Sequence, residues 1–218
     1  MYCSTQGVHG DVKNPPGDEN SPISPADYYQ FTKYEGEKVA HEYMAKGLDV
    51  TILRPTAIYG PGDPGRWFML FKYTANGRFL MFGNGKTTYH PVHIDNLVDT
   101  FEAAVAKPEA SGQTYIIGDK EYYTLNDIVK MVGKAQGIDV SIIHLPFWPL
   151  WFLALLCEGV CGLLRITPPL FRRRVDWFRQ VRAFDVSKAE RELGYDSKVD
   201  LPTGLAETGR WYKENGYL

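Results

Sequence analysis

The chain has little of what marks several protein classes. It has 218 residues, 3 cysteines and a formal net charge of −2. Cys3, Cys157 and Cys161 are too few and too badly spaced for a disulfide framework or a thiolate metal box. The balanced charge gives no footing for nucleic acid. His9, His41, His90, His93 and His144 show no metal-ligand spacing, so no metal is expected. No secretory leader is expected from the first residues, and repeats and low-complexity tracts are absent. A reduced, cytoplasmic setting is the expectation. With 44% apolar and 23% charged residues, the chain suits a globular domain with a real core.

Among what is present, Tyr29 and Lys33 are the most informative pair. A free phenol has a pKa of about 10, and a nearby ammonium favours its phenolate. At i and i+4 on a helix the two side chains share one face, so such a tyrosine can exchange a proton with an alcohol oxygen. Spacing alone does not decide, because Tyr34 and Lys38 repeat it in a chain with 14 tyrosines. Five residues at about 100° each turn Tyr34 roughly 140° from Tyr29, so the two pairs cannot serve one site. Context favours Tyr29. It follows Ser24-Pro25-Ala26-Asp27, a helix-start signal, and Ser4-Thr5 lies upstream after an apolar start. The plain alternative is a surface Tyr/Lys pair on an amphipathic helix.

Several segments, taken in order, carry a resemblance. Tyr-Cys-Ser-Thr-Gln-Gly-Val-His-Gly at 2–10 is similar to the strand-end segment of extended short-chain dehydrogenases/reductases. Asp27 to Glu37 resembles their Y-x-x-[ST]-K-x-x-x-E helix. Leu53 to Gly62 resembles L-R-P-x-x-I-Y-G-P-G, and Gly83-Asn84-Gly85 followed by Val92-His93-Ile94-Asp95-Asn96 resembles later segments of the same family. Asp185-Val186-Ser187-Lys188 with Glu192-Leu193-Gly194-Tyr195 resembles its C-terminal signature.

The resemblance implies an α/β fold: the C-terminal part of a Rossmann-like doubly wound parallel sheet, with a smaller mixed α/β substrate-binding lobe. Residues 1–60 would belong to the dinucleotide-binding domain. Residues 61–218 would form mostly the substrate lobe, with about 86–117 returning to the main domain. NAD or NADP is the implied cofactor and a small molecule the implied substrate. Tyr29 would be the acid/base. Lys33 would tune it and hold the nicotinamide ribose. Thr5 or Ser4 would orient the reacting oxygen, and Pro55 would pack near the nicotinamide. The bland alternatives are a strand-end hydroxyl bonded to backbone for Thr5 and Ser4, and a strand terminator for Pro55. Arg54 is expected to pair with a carboxylate within the fold. His93 is expected to satisfy a backbone partner, and Asp95 to cap a helix. A homodimer through the Tyr29 helix is a further implication.

Three departures sharpen this. The glycine-rich pyrophosphate turn of dinucleotide folds is not found, and the resemblance places it before the Ser-Thr strand. The chain therefore reads as the C-terminal portion of a longer enzyme, not expected to turn over alone. Next, Tyr89-His90-Pro91 stands where sugar-nucleotide relatives carry Arg-Asp-Phe, so their phosphate-clamping arginine is missing from its slot.

Last, Pro146 to Leu164 is nearly all apolar, with Glu158 its only charge. A helix over 149–164 is about 24 Å long, short of a roughly 30 Å hydrocarbon core. It reads either as a buried helix over the substrate pocket or as a peripheral membrane contact through 147–165, helped by Arg165 and Arg172-Arg173-Arg174. Similar segments occur in members resembling sterol and 3β-hydroxysteroid dehydrogenases. Both readings favour an apolar substrate. The expected reaction is hydride transfer between a secondary alcohol or ketone and nicotinamide. The rivals are a sugar-nucleotide epimerase or dehydratase and a non-catalytic fragment.

Strand and helix signals alternate along the chain. Helices are expected over about 26–46, 66–76, 95–106 and 124–133, and over 187–193 and 201–214. Strands are expected near 49–53, 113–117 and 141–144.

Overall fold

A computed structural model describes residues 1–218. In chain order the elements are β1 (Tyr2–Cys3), α1 (Tyr28–Met44), β2 (Ile52–Pro55), β3 (Ala57–Tyr59), α2 (Arg66–Thr74), β4 (Arg78–Phe82), β5 (Thr88–Tyr89), β6 (Pro91–His93) and α3 (Ile94–Ala106). There follow β7 (Thr114–Ile117), β8 (Tyr123–Thr124), α4 (Leu125–Ala135), β9 (Ser141–Leu145), α5 (Phe147–Leu164), α6 (Arg172–Val175), α7 (Ser187–Leu193) and α8 (Leu201–Glu214).

The main sheet runs β1-β2-β7, all parallel, with Ile52 opposite Tyr2 and Thr114. Every residue of β2 is buried, as a strand covered on both faces requires. Two further parallel pairs, β3-β6 and β4-β9, and the antiparallel pair β5-β8 complete the strands. Such an alternating order puts helices between parallel strands.

Two large apolar clusters, with a small third one of Val12, Ile116, Phe184 and Val186, hold the fold. One joins Leu53, Val92, Leu97, Tyr115, Ile117 and Leu193 around the main sheet. The other joins Tyr59, Trp67, Phe71, Met81, Ile128, Val132, Leu205 and Tyr212, so that α2, α4 and α8 close over β4. Each buried Leu, Ile or Phe contributes about 1.5–3 kcal/mol.

Helix ends follow side-chain chemistry. Asp27 caps α1 by accepting from Gln30 N, Thr124 caps α4 through Asp127 N, and Asp200 caps α8 through Thr203 N. Asp95 was expected to cap α3; the cap is His93 instead. His93 is extended, with ψ 143°, and its Nδ1 accepts from Asp95 N. Asp95 lies in the first turn, where its charge suits the helix dipole.

The apolar run differs from its buried reading. It forms α5, of 18 residues, but only Ala154 and Cys161 are fully buried. Trp148, Phe152, Leu153, Leu156, Val160, Leu163 and Leu164 are exposed. No element of the chain lies over them, so composition alone could not fix the burial. All three cysteines are free.

Candidate active site

The site is built where β1 ends and α1 begins. Gly36 lets the helix approach the strand: a Cβ there would come within 2.0 Å of the Tyr2 hydroxyl oxygen. That hydroxyl donates to the Lys33 carbonyl at 3.0 Å. The docking turns Lys33 towards the strand end, where its ammonium donates to the Cys3 carbonyl at 2.9 Å. The same ammonium lies 6.0 Å from the centre of the Tyr29 ring. Tyr29 is half-exposed, so its hydroxyl is open to a reactant.

What locks α1 is a residue whose role went unassigned in the sequence, Glu37. It is buried one turn beyond Lys33 and accepts two bonds from Arg54, from Nε at 2.9 Å and Nη2 at 2.7 Å. Arg54 Nη1 adds contacts to His9 Nε2 and the Glu19 carbonyl, both at 3.1 Å. Such a planar, two-bond pair fixes geometry as well as charge. The signal was present in the Y-x-x-x-K-x-x-x-E spacing. Arg54 thus pairs with a carboxylate, as its chemistry suggested. The Arg54 charge and, above all, burial hold His9 below the usual imidazole range.

The competing pair sits apart. Lys38 bonds Glu35 at 2.6 Å and lies 4.9 Å from the Tyr34 ring centre, on the solvent side.

The two strand-end hydroxyls behave differently. Thr5 Oγ1 accepts from Gly7 N at 3.1 Å and caps the short turn Gln6–His9. Ser4 Oγ is buried and has no partner. Thr56 Oγ1, just after Pro55 at the end of β2, is also buried and unpartnered. Pro55 is buried in the strand, opposite Ile117, and β2 ends there. The carboxyl ends of parallel strands are where open α/β sheets bind ligands, and unpaired polar groups there fit an absent polar group.

Behind the strands lies a second polar cluster that the sequence did not announce. Buried Asp119 accepts from His93 N at 3.0 Å and Asn96 Nδ2 at 2.7 Å. Burial pushes its carboxyl up to about 6, against the pull of those bonds. His90 Nε2 bonds the Asp119 carbonyl at 2.6 Å, and burial pushes this imidazole down to about 4. A Cβ on Gly118 would come within 2.5 Å of that ring, so the glycine admits it. His93 lies between Asp95 at 3.7 Å and Glu207 at 3.8 Å. These three gather donor atoms within 4.8 Å, a grouping of metal-ligand type that histidine spacing did not suggest.

Tyr89 fills the slot of the missing arginine, yet two other arginines reach it. Arg66 Nη1 donates to its hydroxyl at 3.1 Å, and the Arg182 guanidinium lies 5.7 Å from its ring centre. Arg182 Nη1 is buried without a partner. Arg173 ties this side of the lobe to the cap of α1 through Asp27 at 2.9 Å.

Two cavities lie away from the Tyr29–Lys33 pair. One of about 320 Å³ is lined by Phe82, Thr87, Phe147, Trp148, Phe178 and Arg179, at the start of α5. The other, of about 310 Å³, is polar and lined by Asp18, Lys188 and Arg191 among others. Neither is lined by Tyr29 or Lys33.

Comparison with known proteins decides the family. The model of the NAD dependent epimerase/dehydratase family matches residues 1–118. The chain belongs to that family. Short-chain dehydrogenase/reductase family 42E member 1 of Homo sapiens is 30% identical over 223 residues, covering 92% of this chain and 56% of the relative. The N-acetyl-alpha-D-glucosaminyl-diphospho-ditrans,octacis-undecaprenol 4-epimerase of Escherichia coli O157:H7 is 29% identical over 214 residues, covering 95% of this chain and 63% of the relative. UDP-glucuronic acid 4-epimerase from Bacillus cereus, solved with UDP-glucuronic acid and NAD, superposes with a TM-score of 0.73 at 25% identity. That match covers 98% of this chain and 60% of the solved one. The chain therefore spans between about half and two thirds of the proteins it matches, and its α/β, Rossmann-like class agrees with theirs.

Proposed function

We propose that this chain carries the proton-handling half of an NAD(P)-dependent oxidoreductase of the extended short-chain type. The substrate is a secondary alcohol or ketone on an apolar, steroid-like or other lipid-like body. The observation that carries this reading is α1 itself. Lys33, one turn from Tyr29, bonds the end of β1 beside Ser4 and Thr5, and the buried Glu37–Arg54 pair holds the helix there.

In this reading Tyr29 takes the proton from the substrate hydroxyl, or returns it to the carbonyl oxygen. The Lys33 ammonium stabilises the phenolate that results and holds the nicotinamide ribose. Ser4 Oγ, buried and unpaired, is free to bond the reacting oxygen. Thr5 is the second candidate, but its hydroxyl is already engaged with Gly7 N. Pro55 and Thr56 border the nicotinamide. Bound nicotinamide supplies the hydride acceptor or donor; the chain's own groups orient the substrate and move the proton.

The reading includes the division into residues 1–60 of the dinucleotide-binding domain and 61–218 of the substrate lobe, with about 86–117 returning. It also includes peripheral membrane contact through 147–165 and a homodimer through α1. The exposed Tyr28, Phe31, Val39 and Tyr43 support the latter.

A second reading, a sugar-nucleotide epimerase or dehydratase, draws on one observation. Arg66 and Arg182 converge on Tyr89 and could replace the missing phosphate clamp. The two readings part in one assay of the full-length enzyme, with its dinucleotide-binding half, supplied with NAD and either a 3β-hydroxysteroid or a UDP-sugar. A dehydrogenase accumulates reduced nicotinamide with the steroid. An epimerase converts the sugar with no net reduction. If neither is turned over and nicotinamide does not bind, both readings fail.

A further inference from the structure

The helix α5 is apolar, long and almost uncovered. Its two buried residues, Ala154 and Cys161, mark the inner line. At about 100° per residue, Phe152, Leu156 and Leu163 lie roughly opposite that line, with Trp148, Leu153 and Val160 to either side. All six are exposed, Leu163 by 85%. A contiguous apolar face of this kind is rare on a surface that meets only water.

Charge around the helix has one sign. Residues 147–182 hold six arginines and two carboxylates, Glu158 and Asp176. Both carboxylates are neutralised, by Arg172 and Arg179, each at 2.6 Å. Arg165 at the C-cap and Arg174 have no carboxylate partner.

The helix does not cross a bilayer in this fold. Before it, β9 pairs with β4; after it, Leu201, Leu205 and Tyr212 of α8 join the same cluster as Phe79 and Met81 of β4. Both flanks belong to one folded body and must stay on one side. Eighteen residues also reach only about 27 Å.

We propose that α5 lies in the plane of an anionic lipid bilayer, its outer face in the acyl boundary and Arg165 and Arg174 at the phosphates. The cavity at its start, walled by Phe82, Phe147, Trp148 and Phe178, then opens at lipid level. Its occupant is the apolar part of a bilayer-resident substrate. This last step rests on the oxidoreductase reading; docking itself does not. Apolar burial supplies the binding, and the arginines select anionic headgroups.

The test uses vesicles of phosphatidylcholine, alone and mixed with phosphatidylglycerol, in a co-sedimentation assay. The chain is expected to bind the mixed vesicles, to bind neutral ones more weakly, and to release in high salt. Leu156→Glu with Leu163→Glu should weaken binding by at least about ten-fold, with an unchanged circular dichroism spectrum. Arg165→Gln with Arg174→Gln should remove the anionic preference and leave neutral binding intact. Should the double glutamate variant misfold, Trp148 serves instead. Brominated lipids should quench its fluorescence most when bromine is shallow, and Trp148→Phe should remove that signal. No vesicle binding by the unaltered chain, deep rather than shallow quenching, or a stable homodimer that buries Leu156 and excludes vesicles would each overturn the docking. The delivery step is read in the enzyme with a sterol supplied in vesicles or in cyclodextrin. The double glutamate variant should lose only the vesicle-borne rate. Equal loss in both would reject delivery, and activity surviving Tyr29→Phe would reject the catalytic reading while leaving docking intact.

Discussion

Two helices of nearly equal length teach opposite lessons. α1 has 17 residues and α5 has 18, and each buries only two of them fully. In α1 the buried residues are Gln30 and Glu37, and both are bonded to groups outside the helix or at its cap. In α5 they are Ala154 and Cys161, which offer contact area and no directional bond. A helix held by polar bonds is fixed in rotation to within a hydrogen bond's tolerance, which suits a catalytic face. A helix held by two small side chains and by one half-exposed pair to the segment that follows it, Glu158 with Arg172, is fixed more loosely, which suits a surface completed by something else. Arg173, at the foot of the α5 arm, is the one ion pair that ties that arm to the cap of α1.

The comparison breaks most visibly at Glu37. Replacing it by Ala leaves Arg54 buried without its carboxylate and should cost about 3–5 kcal/mol in a denaturant melt. A loss below about 1 kcal/mol would mean that α1 is held by something else. Gly36→Ala should be next, at about 1–3 kcal/mol, because the new methyl meets the Tyr2 hydroxyl. It should also disturb the Lys33 tether, visible as a shifted Lys33 resonance. On α5 the expectation reverses. Leu156→Glu should change stability in lipid-free buffer by no more than about 0.5 kcal/mol. A large loss would show that the face is covered after all.

Acid should act through buried imidazoles: His9, beside the Arg54–Glu37 lock of α1, and the His90–Asp119 cluster. Folded His90 titrates at about 4. Below about 6.5 the unfolded chain takes up a proton that the folded one refuses, so stability falls as pH drops from about 6.5 towards 4. Asp119 works the other way. Its folded value of about 6 lies above the unfolded one, so the folded state gains a proton first and is favoured as pH falls through 6. In melts taken from pH 7 to pH 5 the two groups therefore oppose each other: His90→Gln should gain stability on acidification relative to the parent, and Asp119→Asn should lose more than the parent does.

Much of the frame was legible. The β-branched run over 49–53 located β2, though the strand starts only at Ile52 and includes Pro55; Thr124 and Asp27 gave their caps, and the periodic stretches gave α4, α7 and α8 with bounds close to those found. Phase separated Tyr29 from Tyr34 without coordinates. Contacts between distant segments were not legible. Glu37 was in view, but its partner Arg54 lies on a strand and nothing local announces the pair. Asp95 looked like a cap because carboxylates usually are, yet the extended histidine two residues before it accepts from the Asp95 amide and takes the cap. The apolar run gave the length of α5 and could not say what covers it, since covering is a property of the rest of the fold.

Tyr29 carries the central claim, and Tyr29→Phe tests it most directly. In the full-length enzyme, turnover of a secondary alcohol should be measured by nicotinamide reduction, alongside nicotinamide binding and thermal stability. Removing one hydroxyl should lower turnover by about 10²–10⁴-fold and leave binding and melting unchanged, since Tyr29 is half-exposed and no bond of its hydroxyl supports the fold. Undiminished turnover in Tyr29→Phe would contradict the account.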